Sequence, residues 1–502
     1  MTYAFIFDAS ACSGCKACQA ACKDKNNLPL GVLWRRVFEV SGGSWTNIGV
    51  RSSRPDVAEY RVGEPRAYDV WENNVFAYNL SMACNHCVHP KCAGVCPVNA
   101  YTLREDGIVL LDSSKCIGCG YCSWACPYGV PQYDRSAGAM TKCDFCYDNL
   151  DAGLPPACVA ACPMRVLDYA EVLKDQEPSE GTLALWTIPG AEHPFPLPKD
   201  SRTQPHLTIK PHVAMSRTEI KSVANREETH PRETSKWEEA PLLVFTLFAQ
   251  MAVGAFWIMP WMFTSLWTLV EYDATYLRLL PSLLIGLCIG IGMLTSFAHL
   301  GTKKNAWRVL MHLRKSWLSR ELLFVGLFGA GWLSTFVGTI LRLHTSALTG
   351  LTSLFGLGLM YSMAQVYRLK TVPAWNSRRT NVGFMVSALL LGPLAMATML
   401  AYESHLTGIL ISVVLWRQIG FAILSLLGLQ LALTGTSTLR GPAMNLRIWM
   451  ILAGLFATGI TFLGAGSGEI GASLYAFLIV LAEEAVGRWQ FYASRIDGEY
   501  KI

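Results

Sequence analysis

An α+β head followed by an all-α bundle of eight transmembrane helices is the fold class that this 502-residue sequence predicts. Three observations predict it. The first 162 residues hold four sets of four cysteines, residues 240–487 are a succession of long apolar runs, and most of the charge lies ahead of those runs. A chain of this length would ordinarily suggest about three domains. The shift in composition divides it differently: 1–170 is a cysteine-rich domain, 171–236 a wrapping tail and linker, and 237–502 the membrane part. A net charge of +5 is small for the size and is gathered in membrane loops, so no nucleic acid is expected as a partner.

The cysteines define the head. Cys84, Cys87, Cys92 and Cys96 precede Pro97, and Cys116, Cys119, Cys122 and Cys126 precede Pro127. Cys12, Cys15, Cys18 and Cys22 lie upstream, while Cys143, Cys146, Cys158 and Cys162, followed by Pro163, lie downstream. The run C-x2-C-x2-C-x3-C-P is an iron–sulfur pattern: three thiolates bend round one cubane, and a short helix carries the fourth to the adjacent cluster. Proline then fixes the backbone as the chain leaves. Zinc ribbons pair one CxxC with another, and disulfide frameworks belong to short secreted chains, so neither matches. The head is therefore expected to be a ferredoxin-like iron–sulfur domain, with sixteen ligands for four clusters. Cys288, alone in an apolar segment, is a packing residue.

Local patterns fill in the head. Tyr3 to Phe7 reads as a strand leading into the first motif, residues 34–78 as a β-rich flap, and Ile108 to Leu111 as a strand between the inner motifs. Residues 171–236 show little periodicity and read equally as a flexible connector or a docking tail. Met1 to Asp8 carry no basic region, twin arginine or long apolar stretch, so no export leader is expected.

Eight spans are expected at about 241–266, 278–298, 321–341, 347–366, 382–401, 414–434, 444–464 and 470–487. Pro260 and Pro393 should bend the first and fifth, and Arg417 should snorkel. Head-side loops carry Lys303, Lys304, Arg308, Arg314, Lys315, Arg320, Arg368, Lys370, Arg378, Arg379, Arg440 and Arg447, against Arg278, Arg342 and Arg417 on the far side. Twelve against three puts the head in the cytoplasm by the positive-inside rule, on the inner membrane.

Two residues flanking the second loop attract notice. His299 and Glu321 put an imidazole and a carboxylate at the head-side boundary, where they could hydrogen-bond a quinone and pass its protons. Glu321 reads equally as a helix amino-terminal charge behind a Ser319 cap. Glu483, Glu484 and Arg488 read as an internal ion pair. His299, His344 and His405 all fall at span ends, so no membrane haem is expected.

These residues resemble a known family. The four motifs are similar to the iron–sulfur subunit of dimethyl sulfoxide reductase-type molybdoenzymes over residues 1 to about 200. Cys119 stands where the related nitrate reductase subunit has tryptophan, which implies a 4Fe-4S rather than a 3Fe-4S cluster. From Trp237 onward, Phe297–Gly301, Ser316–Glu321, Thr371–Asn376 and Gly487–Tyr492 resemble the eight-helix anchor subunit of the same enzymes. The resemblance implies four 4Fe-4S clusters held by Cys12, Cys15, Cys18 and Cys162; by Cys22, Cys143, Cys146 and Cys158; by Cys84, Cys87, Cys92 and Cys126; and by Cys96, Cys116, Cys119 and Cys122. It also implies that His299 and Glu321 serve a menaquinone or ubiquinone site and that a separate molybdopterin-containing subunit does the substrate chemistry. The two subunits are usually separate chains, and their fusion is most similar to the cytoplasmic sulfite dehydrogenases, which pass electrons to the quinone pool. Alternatives are the quinol-oxidising part of an S-oxide reductase and a passive anchor with structural clusters.

Overall fold

The computed structural model describes residues 1–42, 45–48, 70–73, 75–173, 203–216, 220–224, 240–267, 275–298, 300–372, 374–407, 413–435, 442–463 and 470–500. In the head, β1 (Thr2–Asp8) is followed by α1 (Ala17–Lys25), β2 (Arg36–Gly42), β3 (Trp45–Ile48), β4 (Val70–Asn73) and β5 (Phe76–Met82). Then come α2 (Lys91–Val95), β6 (Tyr101–Leu103), β7 (Val109–Leu111), α3 (Tyr121–Ala125), β8 (Gln132–Asp134) and β9 (Ala139–Thr141). The head ends with α4 (Tyr147–Asp151), α5 (Ala157–Ala160), β10 (Leu167–Val172), β11 (Leu207–Lys210) and β12 (Ile220–Ala224). Strands alternating with short helices make this a ferredoxin-like region.

Strand β1 is the centre of one sheet. Its Ala4, Phe5 and Phe7 are buried, β10 pairs antiparallel along one edge from Thr2↔Val172 to Phe7↔Leu167, and β11 pairs parallel along the other. A second sheet has the order β12-β2-β5. Residues 203–216 and 220–224 thus extend both sheets, and Tyr128 Oη lies 2.8 Å from Thr203 Oγ1 in the buried interior. The expected tail therefore belongs in part to the head fold. Its segments 174–202 and 225–239 lie outside the described residues.

The bundle comprises α6 (Ala240–Trp267), α7 (Thr275–Ala298), α8 (Trp317–Ile340), α9 (Ser346–Tyr367), α10 (Arg378–Thr407), α11 (Val413–Gly435), α12 (Pro442–Leu463) and α13 (Ile470–Tyr500). All eight are long and apolar enough to cross a membrane. Pro260 and Pro393 lie inside α6 and α10 as expected, and Pro281 lies inside α7. In α10, 78% of the most apolar window is buried and in α6 61%, against 28–39% in the other six, so this pair forms the axis. Glycine lets the two approach: a Cβ on Gly254 would sit 1.8 Å from Ala388 O, and one on Gly392 would sit 2.2 Å from Ala255 N. Such small-residue seams let membrane helices gain van der Waals contact where lipid supplies no hydrophobic drive.

Candidate functional site

Each C-x2-C loop bends the same way. The residue before its second cysteine is left-handed in all four: Gly14 (φ 69°), His86 (φ 40°), Gly118 (φ 71°) and Phe145 (φ 65°). This turns backbone N–H groups onto sulfur. Gly118 donates to Cys116 Sγ at 3.3 Å, Phe145 to Cys143 Sγ at 3.4 Å, and Gly14 to Cys12. Met140 N–H adds a second donor to Cys116 Sγ, and Ala100 N–H donates to Cys96 Sγ. Converging N–H dipoles of this kind suit a negative iron–sulfur site. The glycines could have signalled the bend in the sequence; His86 and Phe145 could not.

The fold regroups the four motifs. Burial pushes the Cys12 thiol up, and the thiols adding to that shift are Cys18, Cys15 and Cys162. Burial, with Cys158 and Cys146, pushes Cys22 up to about 12. Cys87 is raised by burial and then by Cys84 and Cys126, which also act on buried Cys92. Burial, with Cys96 and Cys116, pushes Cys119 up to about 12, and the same neighbours together with Cys119 raise Cys122. Cys12, Cys15, Cys18 and Cys162 line one cavity. Influence also passes between sets, Cys158 acting on Cys18, Cys84 on Cys143, and Cys122 on Cys92, and none of the sixteen cysteines is in a disulfide. Thiols held protonated by burial ionise when a metal replaces the proton, so the donor set fits iron–sulfur clusters. Among the described residues no three His, Cys, Asp or Glu side chains converge on one metal ion, as in a tetrahedral zinc site.

The last group rests on the membrane part. A short 3-10 segment, Lys303–His312, lies between α7 and α8 and clasps the cysteine loops. Asn305 Nδ2 donates to Ser114 O and Cys116 O, Thr302 N–H to Ile117 O, and Thr302 Oγ1 to Gly138 O. His312 Nδ1 lies 2.7 Å from Cys96 O, so that nitrogen carries a proton. Ser316 and Ser319 hydroxyls donate to Val95 O and Pro97 O. Gly301 lies against Gly138, where any Cβ would fall 2.2 Å from the carbonyl oxygen.

Helix α8 starts four residues earlier than expected, with Ser316 as its cap. Glu321 is consequently past the first turn and only 2% exposed, which removes its reading as an amino-terminal charge. Its Oε1 is buried without a hydrogen-bond partner. Its neighbours on the helix meet the last cysteine group: Ser319 donates to Pro97 O, and Leu322 packs on the core that holds Cys96, Cys116 and Cys122. Burial first and the Glu321 charge second raise the phenol of Tyr121, between Cys119 and Cys122, a residue that nothing in its sequence neighbourhood singles out. His299 lies outside the described residues.

A second polar cluster is buried deeper. Arg447 Nε pairs with Glu483 Oε1 at 2.7 Å, and Gln430 Nε2 donates to Glu483 Oε2 at 2.8 Å and Glu484 Oε1 at 2.9 Å. Ser387 Oγ donates to Glu484 Oε2, while Arg488 donates to Gln250 Oε1 and Ser387 Oγ and stacks 3.8 Å from the Phe384 ring centroid. The expected ion pair exists, with Arg447 rather than Arg488 as the cation.

Comparison with known proteins divides the chain along the same line. Residues 234–493 match the family described as DMSO reductase anchor subunit (DmsC), and residues 75–172 match a 4Fe-4S dicluster domain. An anaerobic dimethyl sulfoxide reductase chain from Escherichia coli (strain K12) is 42% identical over 211 residues, covering 42% of this chain and 89% of that protein. A tetrathionate reductase subunit from Salmonella typhimurium is 32% identical over 222 residues, 41% of this chain and 79% of that protein. The formate dehydrogenase iron–sulfur subunit of Wolinella succinogenes is 35% identical over 185 residues, 32% of this chain and 78% of that protein.

Proposed function

We propose that this chain, which belongs to the DMSO reductase anchor subunit (DmsC) family and carries a 4Fe-4S domain ahead of the anchor, passes electrons between a separate molybdopterin-containing catalytic subunit and a quinone in the bilayer. One observation carries the reading: the last cysteine group adjoins a buried, unpartnered carboxylate oxygen at the start of a membrane helix. Cys12, Cys15, Cys18 and Cys162 would hold the first cluster, and Cys22, Cys143, Cys146 and Cys158 the second. Cys84, Cys87, Cys92 and Cys126 would hold the third, and Cys96, Cys116, Cys119 and Cys122 the fourth. Such clusters supply one-electron carriers. The protein would hold the four groups in succession, buries most of their thiols, and aims backbone N–H groups at the sulfurs.

At the membrane end the residues handle protons. A quinone gains two electrons and two protons to become a quinol, and Glu321, Tyr121 and His299 would bind its oxygens and move those protons. Changing Glu321→Gln keeps one hydrogen bond and removes the proton carrier. Quinone-linked turnover should fall by about 100-fold or more, while activity with an artificial dye that bypasses the quinone persists. Normal quinone turnover in both Glu321→Gln and His299→Ala would overturn the site. It would also leave the passive-anchor reading standing.

For direction, we favour sulfite oxidation feeding the quinone pool, with head and carboxyl terminus in the cytoplasm and the bundle in the inner membrane. The basic loops support that orientation, and a folded head joined covalently to eight spans is poorly suited to export. The contrary flow, from quinol to an S-oxide, is favoured by the likeness to the dimethyl sulfoxide reductase of Escherichia coli. A reporter active only in the cytoplasm, fused after Ile502, should work; activity from a periplasm-only reporter would reverse both orientation and direction. The substrate of the co-purifying catalytic subunit then separates sulfite from S-oxide.

A further inference from the structure

Two cations, Arg35 and Lys142, are buried among the cysteine groups, and neither is bonded to a carboxylate among the described residues. Arg35, immediately before β2, is 2% exposed. One of its terminal nitrogens donates to Ser81 O at 3.4 Å and Ser81 Oγ at 3.2 Å, and its guanidinium carbon lies 4.4 Å from the Phe5 ring centroid. Its Nε and second terminal nitrogen are buried with no partner. Lys142, just after β9, is 4% exposed, and its Nζ donates only to the carbonyls of Val109 and Cys143. Neither side chain forms an ion pair with a carboxylate among the described residues.

A buried charge left alone costs several kcal/mol, so its counter-charge must lie nearby. The nearby groups are thiols of two different sets in each case. Ser81 Oγ, which accepts from Arg35, lies 3.3 Å from Cys18 Sγ, and Cys158, Cys143 and Cys22 also act on the guanidinium. Around Lys142, whose Nζ donates to Cys143 O, stand Cys84, Cys92 and Cys143, with the Asp144 carboxylate after them. The third basic group there is different: His86 Nδ1 accepts from Val109 N–H at 3.0 Å, so that ring is not a cation. In the last group the Cys96 and Cys116 sulfurs accept from the backbone N–H groups of Ala100, Gly118 and Met140.

We propose that Arg35 and Lys142 are fixed counter-charges that raise the reduction potentials of the first three clusters: Arg35 is shared by the first and second, Lys142 by the second and third. The proposal rests on the reading that the cysteine groups hold 4Fe-4S clusters. Each reduction adds one electron and no bond changes, so the cluster gains one negative charge. A fixed cation stabilises that reduced form, and net charge is among the quantities that set cluster potentials. The second cluster, touched by both cations, is stabilised most when reduced. The fourth, without either, relies on its N–H donors. Arg35 and Lys142 are positioning residues here, acting through the field they impose.

The test uses the full chain in its complex, purified anaerobically, with iron analysis and an electron paramagnetic resonance redox titration of each variant. Arg35→Met should lower the potentials of the first two clusters by at least a tenfold change in reduction equilibrium, which is about 59 mV for one electron. The other two should stay within about half of that. Arg35→Lys should restore most of the change, and Lys142→Met should move the second and third clusters instead. Four unchanged potentials in fully loaded Arg35→Met and Lys142→Met would overturn the proposal, as would an equal shift of all four. If Arg35→Met loses iron while Arg35→Lys keeps it at native potentials, the charge requirement stands; if both lose it, Arg35 is structural and its part falls. Absence of iron from the unaltered chain would overturn the cluster reading itself, a separate result.

Discussion

Arg35 and Lys142 in the head and Arg488 in the bundle are nearly removed from solvent, and Arg447 is half-buried, yet these cations answer to different kinds of partner. In the bundle, the counter-charges are carboxylates of α13: Glu483 bonds Arg447 of α12 directly, and Glu484 reaches Arg488 of its own helix through Ser387 of α10. In the head they are foremost cysteine thiols, which turn negative only when metal displaces their protons, with Asp144 acting on Lys142 after them. Arg447 and Arg488 thus find their counter-charges within the folded polypeptide. The head is complete only with its clusters.

The bundle side of this comparison can be broken most sharply at Arg447. Arg447→Met strands a buried Glu483 carboxylate and should destabilise the detergent-solubilised protein by about 3–5 kcal/mol, read by thermal or denaturant unfolding. Glu483→Gln should cost less, because the half-buried guanidinium can turn toward the membrane surface. The double change Arg447→Met with Glu483→Gln should recover part of the larger loss. A double variant no better than Arg447→Met alone would show that the pair is not the stabilising unit.

A gentler change sharpens the same point. Gly487 leaves room for the Arg447 guanidinium, since a Cβ there would stand 2.5 Å from its central carbon. Gly487→Ala should push the guanidinium off its bond to Glu483 and cost about 1–2 kcal/mol, less than removing the charge. An alanine variant as stable as the native protein would mean the arginine has another equally good place.

Much of this architecture is legible in the sequence. The cysteine sets and the spans follow from residue type and spacing, and the spans fall within a few residues of their expected limits except at the ends of the fifth and eighth, which run on to Leu406 and Ser494. The third span begins sooner because Ser316, not Ser319, caps its helix, and that shift puts Glu321 inside the protein. The roles of Tyr121, Arg35 and Lys142 are not legible there. A tyrosine between two cysteines, an arginine before a strand and a lysine after one look alike whether they face solvent or sulfur.

What the sequence determined by itself was chemistry with a short range: which side chains can ligate iron, because the C-x2-C repeats set it, and which segments can cross a bilayer, because length and apolarity set that. What the tertiary structure decided was every pairing across long distance. Cys12 and Cys22 lie in one motif yet belong to different groups, Cys12 meeting Cys162 and Cys22 meeting Cys158. Residues 207–210 close a sheet begun at residue 2, and Arg447 rather than Arg488 reaches Glu483. Local spacing constrains neighbours within a turn or two, whereas the partner of a buried charge or a free strand edge is settled only when packing excludes water and leaves one group within reach.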